Sequence, residues 1–214
     1  NGGQFADLVA DIIAETPGVI GDIDANEIQT IKLGGPIVLD SDSAINMSGT
    51  SVAVDYDGYE IQVTSGDSLT LTAAQADDGT ITGAGSVTVT DLANAPADLD
   101  LSGLTAATVT LDITGTVDLT SLTSLVLGGV SISVTSPGAL TLTAAQADGL
   151  TVSGAGNVTV NGLGASTNLS NVDPSGTLTA VVSGTVDISS NSNLTTVDAY
   201  QVTGALTLPA SPAD

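Results

Sequence analysis

The residues best suited to chemistry are oxygen ligands in two short acidic segments. In the first, Asp22, Asp24 and Asn26 follow the D-x-D-x-N order that opens a calcium-binding loop, in which alternate side chains face one cation. Glu27 stands where that loop needs a turn glycine, and Leu33 stands where it needs a bidentate carboxylate. The segment therefore predicts either a Ca²⁺ site or a plain acidic turn.

The second acidic segment, DYDGYE at 55–60, gathers three carboxylates and two tyrosines around a turn glycine. Carboxylate oxygens are hard ligands that suit Ca²⁺, so this segment is the second candidate metal site. The same composition also suits a hairpin turn with no ligand. Ca²⁺ is the only cofactor that the sequence suggests, and its candidate ligands here are Asp55, Asp57 and Glu60.

The composition excludes most other kinds of chemistry. The 214 residues include no cysteine and no histidine, which excludes disulfides, thiolate catalysis, Cys-ligated zinc and a Ser-His-Asp arrangement. Acidic residues number 24 against the single Lys32, and the formal net charge is −23. Nucleic acids and anionic membranes need basic partners, so both are excluded. We expect a protein that is not an enzyme and that has no membrane-spanning stretch.

The elements that must position these residues are repeated along the chain. A shift of 71 residues aligns 69–92 with 140–163 without a gap and with 17 identities in 24 positions. LTLTAAQAD is identical in both copies, and ALTLPASPAD at 205–214 matches ALTLTAAQAD at seven of ten positions. Repeats of this kind are typical of architectures in which each unit stacks on the one before it.

Within each repeat, apolar residues alternate with hydroxyl residues, as they do over 87–90. A period of two is the pattern of a half-buried strand, and turns with glycine separate the short strands. Aromatic residues make up only 2% of the chain, which favours a thin aliphatic core. We predict an all-β fold, a parallel β-helix or β-solenoid of short strands with a short N-terminal helix. The alternative is a pair of tandem small β-sandwich domains.

The repeated stretch LTLTAAQAD predicts a structural corner. Thr72 and Gln75 have the spacing of a capping box, and Thr143 and Gln146 repeat it. We predict that LTLT is a strand, that AAQAD is one helical turn, and that the next glycine leaves the turn in a left-handed conformation. These glycines are Gly79 and Gly149.

Three aspartates fall on outward strand positions, where like charges stacked on adjacent coils would repel one another. A cation between them would relieve the repulsion, so the pattern predicts stability that depends on salt or calcium. The three are Asp112, Asp118 and Asp187.

The first 34 residues differ from the rest of the sequence. Apolar residues at 5, 8, 9, 12 and 13 have the spacing of an amphipathic helix. Such a helix would cap one end of the solenoid, whose edge is otherwise open, or would dock on a neighbouring subunit. The expected organisation is a capping or docking segment with an acidic turn at 1–34, and a solenoid at 35–214 with repeats at 69–139, 140–204 and, in part, 205–214.

The block LTLTAAQADG with the following TVSGAGNVTV resembles repeats of large bacterial extracellular surface proteins, namely Ca²⁺-dependent S-layer proteins and giant secreted adhesins of Gram-negative bacteria. The resemblance covers residues 69–163. It implies an extracellular location at the cell surface, folding or assembly helped by Ca²⁺, and a role in lattices, filaments or adhesion.

The expected function is a self-associating structural module of an extracellular bacterial assembly: an S-layer, a filament or an adhesin stalk. The expected partners are copies of the chain itself or adjacent modules of the same surface protein, and cell-surface polysaccharide is a further candidate.

Two other functions stay open. A carbohydrate-binding or carbohydrate-cleaving β-helix would use paired carboxylates in one groove, although the aromatic and basic residues that grip sugars are scarce here. Alternatively, Thr-x-Thr pairs such as Thr70 with Thr72, and Thr88 with Thr90, could form ladders that bind ice or another ordered surface.

Overall fold

The computed structural model describes residues 30–32, 37–39, 44–49, 53–56, 58–122 and 130–209. These residues fall into two compact units, of which unit 1 ends at Leu111 and unit 2 begins at Asp112. Each unit is described by itself.

Unit 1 consists of short parallel strands in three sheets. Its elements are β1 (Thr30–Lys32), β2 (Ile37–Leu39), β3 (Ala44–Asn46), β4 (Ala53–Asp55), β5 (Glu60–Val63), β6 (Ser68–Thr72), α1 (Ala73–Ala76), β7 (Thr80–Thr82), β8 (Ser86–Thr90), a 3-10 turn at Leu92–Asn94, and β9 (Thr108–Ile113), whose last two residues belong to unit 2. β1 pairs with β4, β5 lies between β2 and β7, and β3, β6, β8 and β9 follow one another in the third sheet.

Unit 2 repeats this plan. Its elements are β10 (Thr116–Asp118), β11 (Ser131–Val134), β12 (Ala139–Thr143), α2 (Ala144–Ala147), β13 (Thr151–Ser153), β14 (Asn157–Asn161), β15 (Leu178–Val182), β16 (Thr185–Asp187), β17 (Ala199–Val202) and β18 (Ala205–Thr207). One sheet has the order β10, β12, β14, β15, β17; β11 pairs with β13, and β16 pairs with β18. All of these pairings are parallel.

The core of each unit consists of apolar columns that run from strand to strand. In unit 2, Leu142 lies opposite Val160, and Val160 lies opposite Ala180; all three have no exposed surface. The alternation of the sequence produces these columns, because every second side chain of a strand points to the same face. Burying a leucine or valine contributes about 1.5–3 kcal/mol, so each added coil contributes stability without any aromatic side chain.

The hydroxyl residues form the matching outer columns. In unit 1, Thr70 lies opposite Thr88, and Thr88 lies opposite Thr110; each is half-buried. In unit 2, Thr159 lies between Thr141 and Thr179 in the same way.

The corner predicted for LTLTAAQAD is confirmed in both copies. Thr72 ends β6 and caps the single turn of α1: its hydroxyl accepts from the backbone N–H of Gln75 at 3.2 Å, and the Gln75 side-chain oxygen accepts from the backbone N–H of Thr72 at 2.9 Å. Thr143 and Gln146 form the same capping box at α2, with distances of 3.2 and 2.8 Å.

The prediction that a left-handed glycine follows the helical turn is confirmed in the second copy and is wrong in the first. Gly149 has φ +73°, as predicted, but in the first copy the left-handed residue is Asp78, with φ 53°. The two copies place Asp78 and Gly149 at the same position of the repeat. Position 79 requires glycine for a steric reason, because a Cβ at this position would lie 2.7 Å from the ring of Tyr56.

The glycines of the GAG stretch allow two coils to touch through their backbones. A Cβ on Gly154 would lie 2.4 Å from the carbonyl oxygen of Val134, and Gly154 has φ +102°. At the equivalent position of unit 1, a Cβ on Gly83 would lie 2.2 Å from the carbonyl oxygen of Val63. The first glycine of the stretch is therefore present in both copies, because no larger residue fits between the coils at this position.

The predicted fold class is confirmed, since the described residues form a β-solenoid of parallel coils. Tandem β-sandwiches would be built from antiparallel sheets, and no described strand pair is antiparallel. The predicted N-terminal helix lies outside the described residues.

Candidate functional site

Most of the predicted calcium ligands lie outside the described residues. These are Asp22, Asp24, Asn26 and Asp57. Of the remaining two, Asp55 is exposed at the end of β4, where the parallel register places Lys32 opposite it. Glu60 begins β5 and accepts a hydrogen bond from the Thr82 hydroxyl at 3.2 Å. Across the part of the chain that the structure describes, no three acidic residues gather closely enough to hold a metal ion.

The two tyrosines of the DYDGYE segment lie in different surroundings. Tyr56 is buried, and its hydroxyl donates to the backbone carbonyl of Gln75 at 2.9 Å. Burial raises the pKa of the Tyr56 phenol above its ordinary value. Tyr59 is 38% exposed. Tyr56 therefore supports the α1 corner and does not belong to a ligand-binding surface.

The outward aspartates are not stacked on one another, and the predicted repulsion between them is wrong. Asp118 lies opposite Thr141 in the register of β10 and β12, and Asp187 lies opposite Thr207 in that of β16 and β18. Asp112 accepts from the Thr135 hydroxyl at 3.4 Å. Each of these carboxylates therefore faces a hydroxyl residue of the next coil and not another of the three aspartates. The predicted dependence of stability on salt or Ca²⁺ stays a prediction.

Several of the carboxylates form tight local turns. Asp118 accepts from the backbone N–H of Thr120 at 2.9 Å and from its hydroxyl at 2.6 Å. Hydrogen bonds from the side chain and then the backbone of the residue two positions later hold the pKa of Asp100, Asp118 and Asp187 below its ordinary value. Asn46 and Asn168 make the same turn with Ser48 and Ser170. These turns link strands at the bends of the coil.

The glutamine of the repeated corner binds the coil that precedes it. In unit 1, the Gln75 side-chain nitrogen donates to the carbonyl oxygen of Met47, which follows β3, at 3.3 Å. In unit 2, the Gln146 nitrogen donates to the carbonyl oxygens of Leu119 and Leu122 at 2.7 and 3.1 Å. The glutamine thus caps its own helical turn with its oxygen and holds the previous coil with its nitrogen.

The aspartate of the corner binds the coil that follows. The Asp77 carboxylate accepts from the backbone N–H of Asp100 at 2.9 Å, and the next backbone N–H, that of Asp78, donates to the Asp100 carbonyl at 3.1 Å. Asp148 and Gly149 hold Asn168 in the same way, at 2.6 and 3.0 Å. We refer to this pair of interactions, through the corner glutamine and the corner aspartate, as the double staple.

The sequence alone does not show the double staple. The capping box accounts for the identity of Thr and Gln in both copies, but it gives no role to the aspartate. One sequence signal does point to this aspartate. Asp77 and Asp148 are identical in the two copies, whereas the next residue is aspartate in one copy and glycine in the other. Their partners lie 23 and 20 residues later, which is one coil away.

The site is therefore a repeated joint between three successive coils. Among the described residues, no buried side-chain nitrogen or oxygen lacks a hydrogen-bond partner. None of the described helices has the length and apolar character needed to cross a membrane. A scan against protein-family models finds no match, and searches of curated proteins and of solved structures find none either.

Proposed function

We propose that this chain is a self-associating structural module of an extracellular bacterial assembly, such as an S-layer, a filament or an adhesin stalk. The double staple carries the proposal. LTLTAAQAD is the longest sequence that the two repeats share without change, and it joins successive coils. Its Gln and Asp side chains form hydrogen bonds with backbone groups of the coils on either side. A duplication that retains such a joint extends a scaffold.

The charge distribution supports the same function. Carboxylates of the described coils are held in turns or bonded across coils, as at Asp118, Asp148 and Asp198. Among the residues that the structure describes, serine, threonine and glycine make up most of the other exposed positions. The chain has no thiol that an oxidising environment would alter. These features suit a protein that works outside the cell, beside copies of itself, adjacent modules or cell-surface polysaccharide.

The proposal includes Ca²⁺ as a stabilising ion. Its ligands would be Asp22, Asp24 and Asn26 in one segment and Asp55, Asp57 and Glu60 in the other, since both segments supply oxygen ligands. The high negative charge would also be screened by a divalent ion, which would let two copies approach.

Sedimentation velocity of the purified chain, with EDTA and with millimolar Ca²⁺, tests the proposal. We expect Ca²⁺ to produce species larger than the monomer, and we expect Asp22→Asn with Asp24→Asn to weaken this response. Asp173→Asn is the matched control, because Asp173 is exposed and makes no side-chain hydrogen bond in the structure. A chain that stays monomeric in both buffers at high concentration would contradict the proposal.

A second candidate function is the binding of ice or another ordered surface, and the threonine columns favour it. Thr70, Thr88 and Thr110 lie in one column, and Thr72 and Thr90 in the next, in a parallel sheet. Strands about 4.8 Å apart, and alternate residues nearly 7 Å apart along each strand, place these hydroxyls on a regular grid.

Thermal hysteresis measures this second activity. Thr88→Val with Thr110→Val would remove two hydroxyls from the column and would abolish any hysteresis. Thr151→Val, on exposed β13, is the control. The absence of hysteresis in the unaltered chain would contradict this second function.

A further inference from the structure

Asn161 and Gly162 lie at an exposed turn of unit 2. Asn161 is the last residue of β14 and is half-buried, and Gly162 follows it and is exposed. Gly162 has φ +75°, and a Cβ built on it would meet nothing within 4 Å. Water and hydroxide can therefore reach the peptide bond between these two residues.

Asn161 differs from the other asparagines in its neighbour and in its side chain. Among the asparagines that the structure describes, it alone is followed by glycine, and its amide makes no hydrogen bond. The side-chain oxygens of Asn46, Asn157 and Asn168 each accept from a backbone N–H. The amide of Asn161 is therefore not held away from its own backbone.

Two further asparagines also make no side-chain hydrogen bond, but the residue after each is held in the core. Asn171 precedes Val172, which has no exposed surface, and Asn193 precedes Leu194, which is buried. A close-packed side chain fixes the backbone to which it is attached. The backbone nitrogens after Asn171 and Asn193 therefore cannot move toward the amide as that of Gly162 can.

The backbone N–H of Gly162 shares its acceptor. It donates to the carbonyl oxygen of Val181 at 3.0 Å, and the backbone N–H of Leu163 donates to the same oxygen at 3.0 Å. When the Gly162 bond opens, the Val181 oxygen keeps the Leu163 bond, and the N–H of exposed Gly162 can bond to water. The opening leaves no buried polar group without a partner, so it costs little. Glycine also adopts more backbone conformations than other residues, which lets its nitrogen approach the amide.

We propose that Asn161 and Gly162 form a site of spontaneous deamidation, at which the folded chain converts Asn161 to aspartate and isoaspartate without an enzyme. Hydroxide removes the proton of the Gly162 backbone N–H, and this nitrogen attacks Cγ of Asn161. A bond forms between these two atoms, the bond from Cγ to Nδ2 breaks, and Nδ2 takes a proton from water and leaves as ammonia. The product is a cyclic succinimide, and the hydroxide is regenerated.

Water then opens the succinimide ring on one side or the other. If the bond from the Gly162 nitrogen to Cγ breaks, aspartate stands at 161 in a normal backbone. If the bond to the main-chain carbonyl carbon breaks, the product is isoaspartate, whose backbone runs through Cβ and Cγ. Water is the only co-reactant, and nothing is oxidised or reduced. Each product adds a negative charge to unit 2, and isoaspartate also adds a methylene to the backbone.

The first repeat has no such pair at the same position. Thr90 and Asp91 stand there where Asn161 and Gly162 stand in the second repeat. Asp91 has φ 56°, so the backbone is left-handed in both copies. Thr90 has no amide, and its hydroxyl donates to the carbonyl oxygen of Leu71 at 3.1 Å. The turn therefore forms without the reactive pair, and the reaction is independent of the proposed assembly function because it needs no second copy.

Mass spectrometry of the full chain, kept folded in mildly alkaline buffer, tests the proposal. Cleavage before aspartate releases residues 148–172 as one peptide, since no aspartate lies between Asp148 and Asp173. The same peptide contains three other asparagines as internal controls: Asn157, Asn168 and Asn171. We expect the mass gain of an amide converted to an acid to appear with time at residue 161 and not at these three. The aspartate product adds a cleavage site at 161, whereas the isoaspartate product resists the protease.

Gly162→Asp tests the role of the glycine, because it introduces the residue that the first repeat has at this turn. We expect this variant to fold with an unchanged circular dichroism spectrum and to lose the Asn161 amide more slowly. Gly149→Asp is the matched control. It also introduces the residue of the first repeat, Asp78, at a left-handed position where a Cβ meets nothing within 4 Å. This control should lose the Asn161 amide as fast as the unaltered chain.

Incubation of the chain in urea shows the rate of the reaction without the fold. If Asn161 keeps its amide in the folded chain and loses it only in urea, the fold prevents the reaction and the proposal is wrong. Equal rates at all four asparagines of the peptide, or equal rates in Gly162→Asp and the unaltered chain, would also overturn it.

Discussion

The side-chain nitrogen of Gln146 donates to the backbone carbonyl oxygen of Leu119 at 2.7 Å, across 27 residues of sequence and one step of the coil. Two residues later, the carboxylate of Asp148 accepts from the backbone N–H of Asn168 at 2.6 Å. One short corner therefore holds the coil before it and the coil after it, and the same arrangement recurs at Gln75 and Asp77.

Replacement of the corner glutamine should destabilise the unit that contains it. Gln75 is buried, and Gln75→Ala would remove the capping interaction and leave the Met47 carbonyl without its amide partner. We expect a loss of about 2 kcal/mol in the free energy of unfolding, measured by urea denaturation. Gln62→Ala is the control, since Gln62 is exposed on β5. Equal losses in both variants would contradict the role of the staple.

Replacement of the corner aspartate should show whether its oxygen or its charge matters. Asp148→Ala would leave the Asn168 backbone N–H without its acceptor, and we expect a loss of about 1 kcal/mol. Asp148→Asn retains an acceptor oxygen and should recover most of this stability. Asp173→Ala, at an exposed carboxylate without a hydrogen bond, should have no effect on the urea midpoint. The staple would be ruled out if Asn were as damaging as Ala.

The close contact at Gly154 should tolerate no side chain. Gly154→Ala would force a Cβ to within 2.4 Å of the Val134 carbonyl oxygen at a positive φ, so we expect a loss of about 3 kcal/mol or failure to fold. Gly184→Ala should be mild, because a Cβ there would meet nothing within 4 Å. The thermal melting temperatures of the two variants measure this difference in stability. A mild effect at Gly154 would show that the coils can move apart.

The turn aspartates should make the protein sensitive to acid. Hydrogen bonds lower the folded pKa of Asp100, Asp118 and Asp187 below the ordinary value of 3.8, so their contribution to stability is present above that value and is lost as the pH falls through the folded pKa. Asparagine makes the same turn in this chain at Asn46 and Asn168 without titrating.

Urea midpoints between pH 6 and pH 2 measure this effect. The triple Asn variant at these positions should lose less stability below pH 4 than the unaltered chain. Parallel curves for the two proteins would show that these turns do not contribute to the acid transition.

The sequence predicts the solenoid and its corner because both depend on local patterns. Alternation of Val and Thr fixes the two faces of each strand, and Thr72 and Gln75 fix the capping box within four residues. The register between coils is not local. The sequence therefore did not reveal that Asp118 lies opposite Thr141 rather than another aspartate, or that Asp77 reaches Asp100.

Two further differences have specific physical causes. Asp78 adopts the left-handed conformation that was expected of Gly79, because aspartate tolerates this region and the Tyr56 ring fills the space beside Gly79. Tyr56 is buried although its neighbours are acidic, because its hydroxyl finds the Gln75 carbonyl as a partner inside the corner.

Low-dose electron microscopy of the purified chain, with EDTA and with millimolar Ca²⁺, tests the central claim most directly. A structural module of an extracellular assembly should appear as filaments or an ordered lattice in Ca²⁺, and as small separate particles in EDTA. Small separate particles in both conditions, at concentrations well above those used for sedimentation, would contradict it.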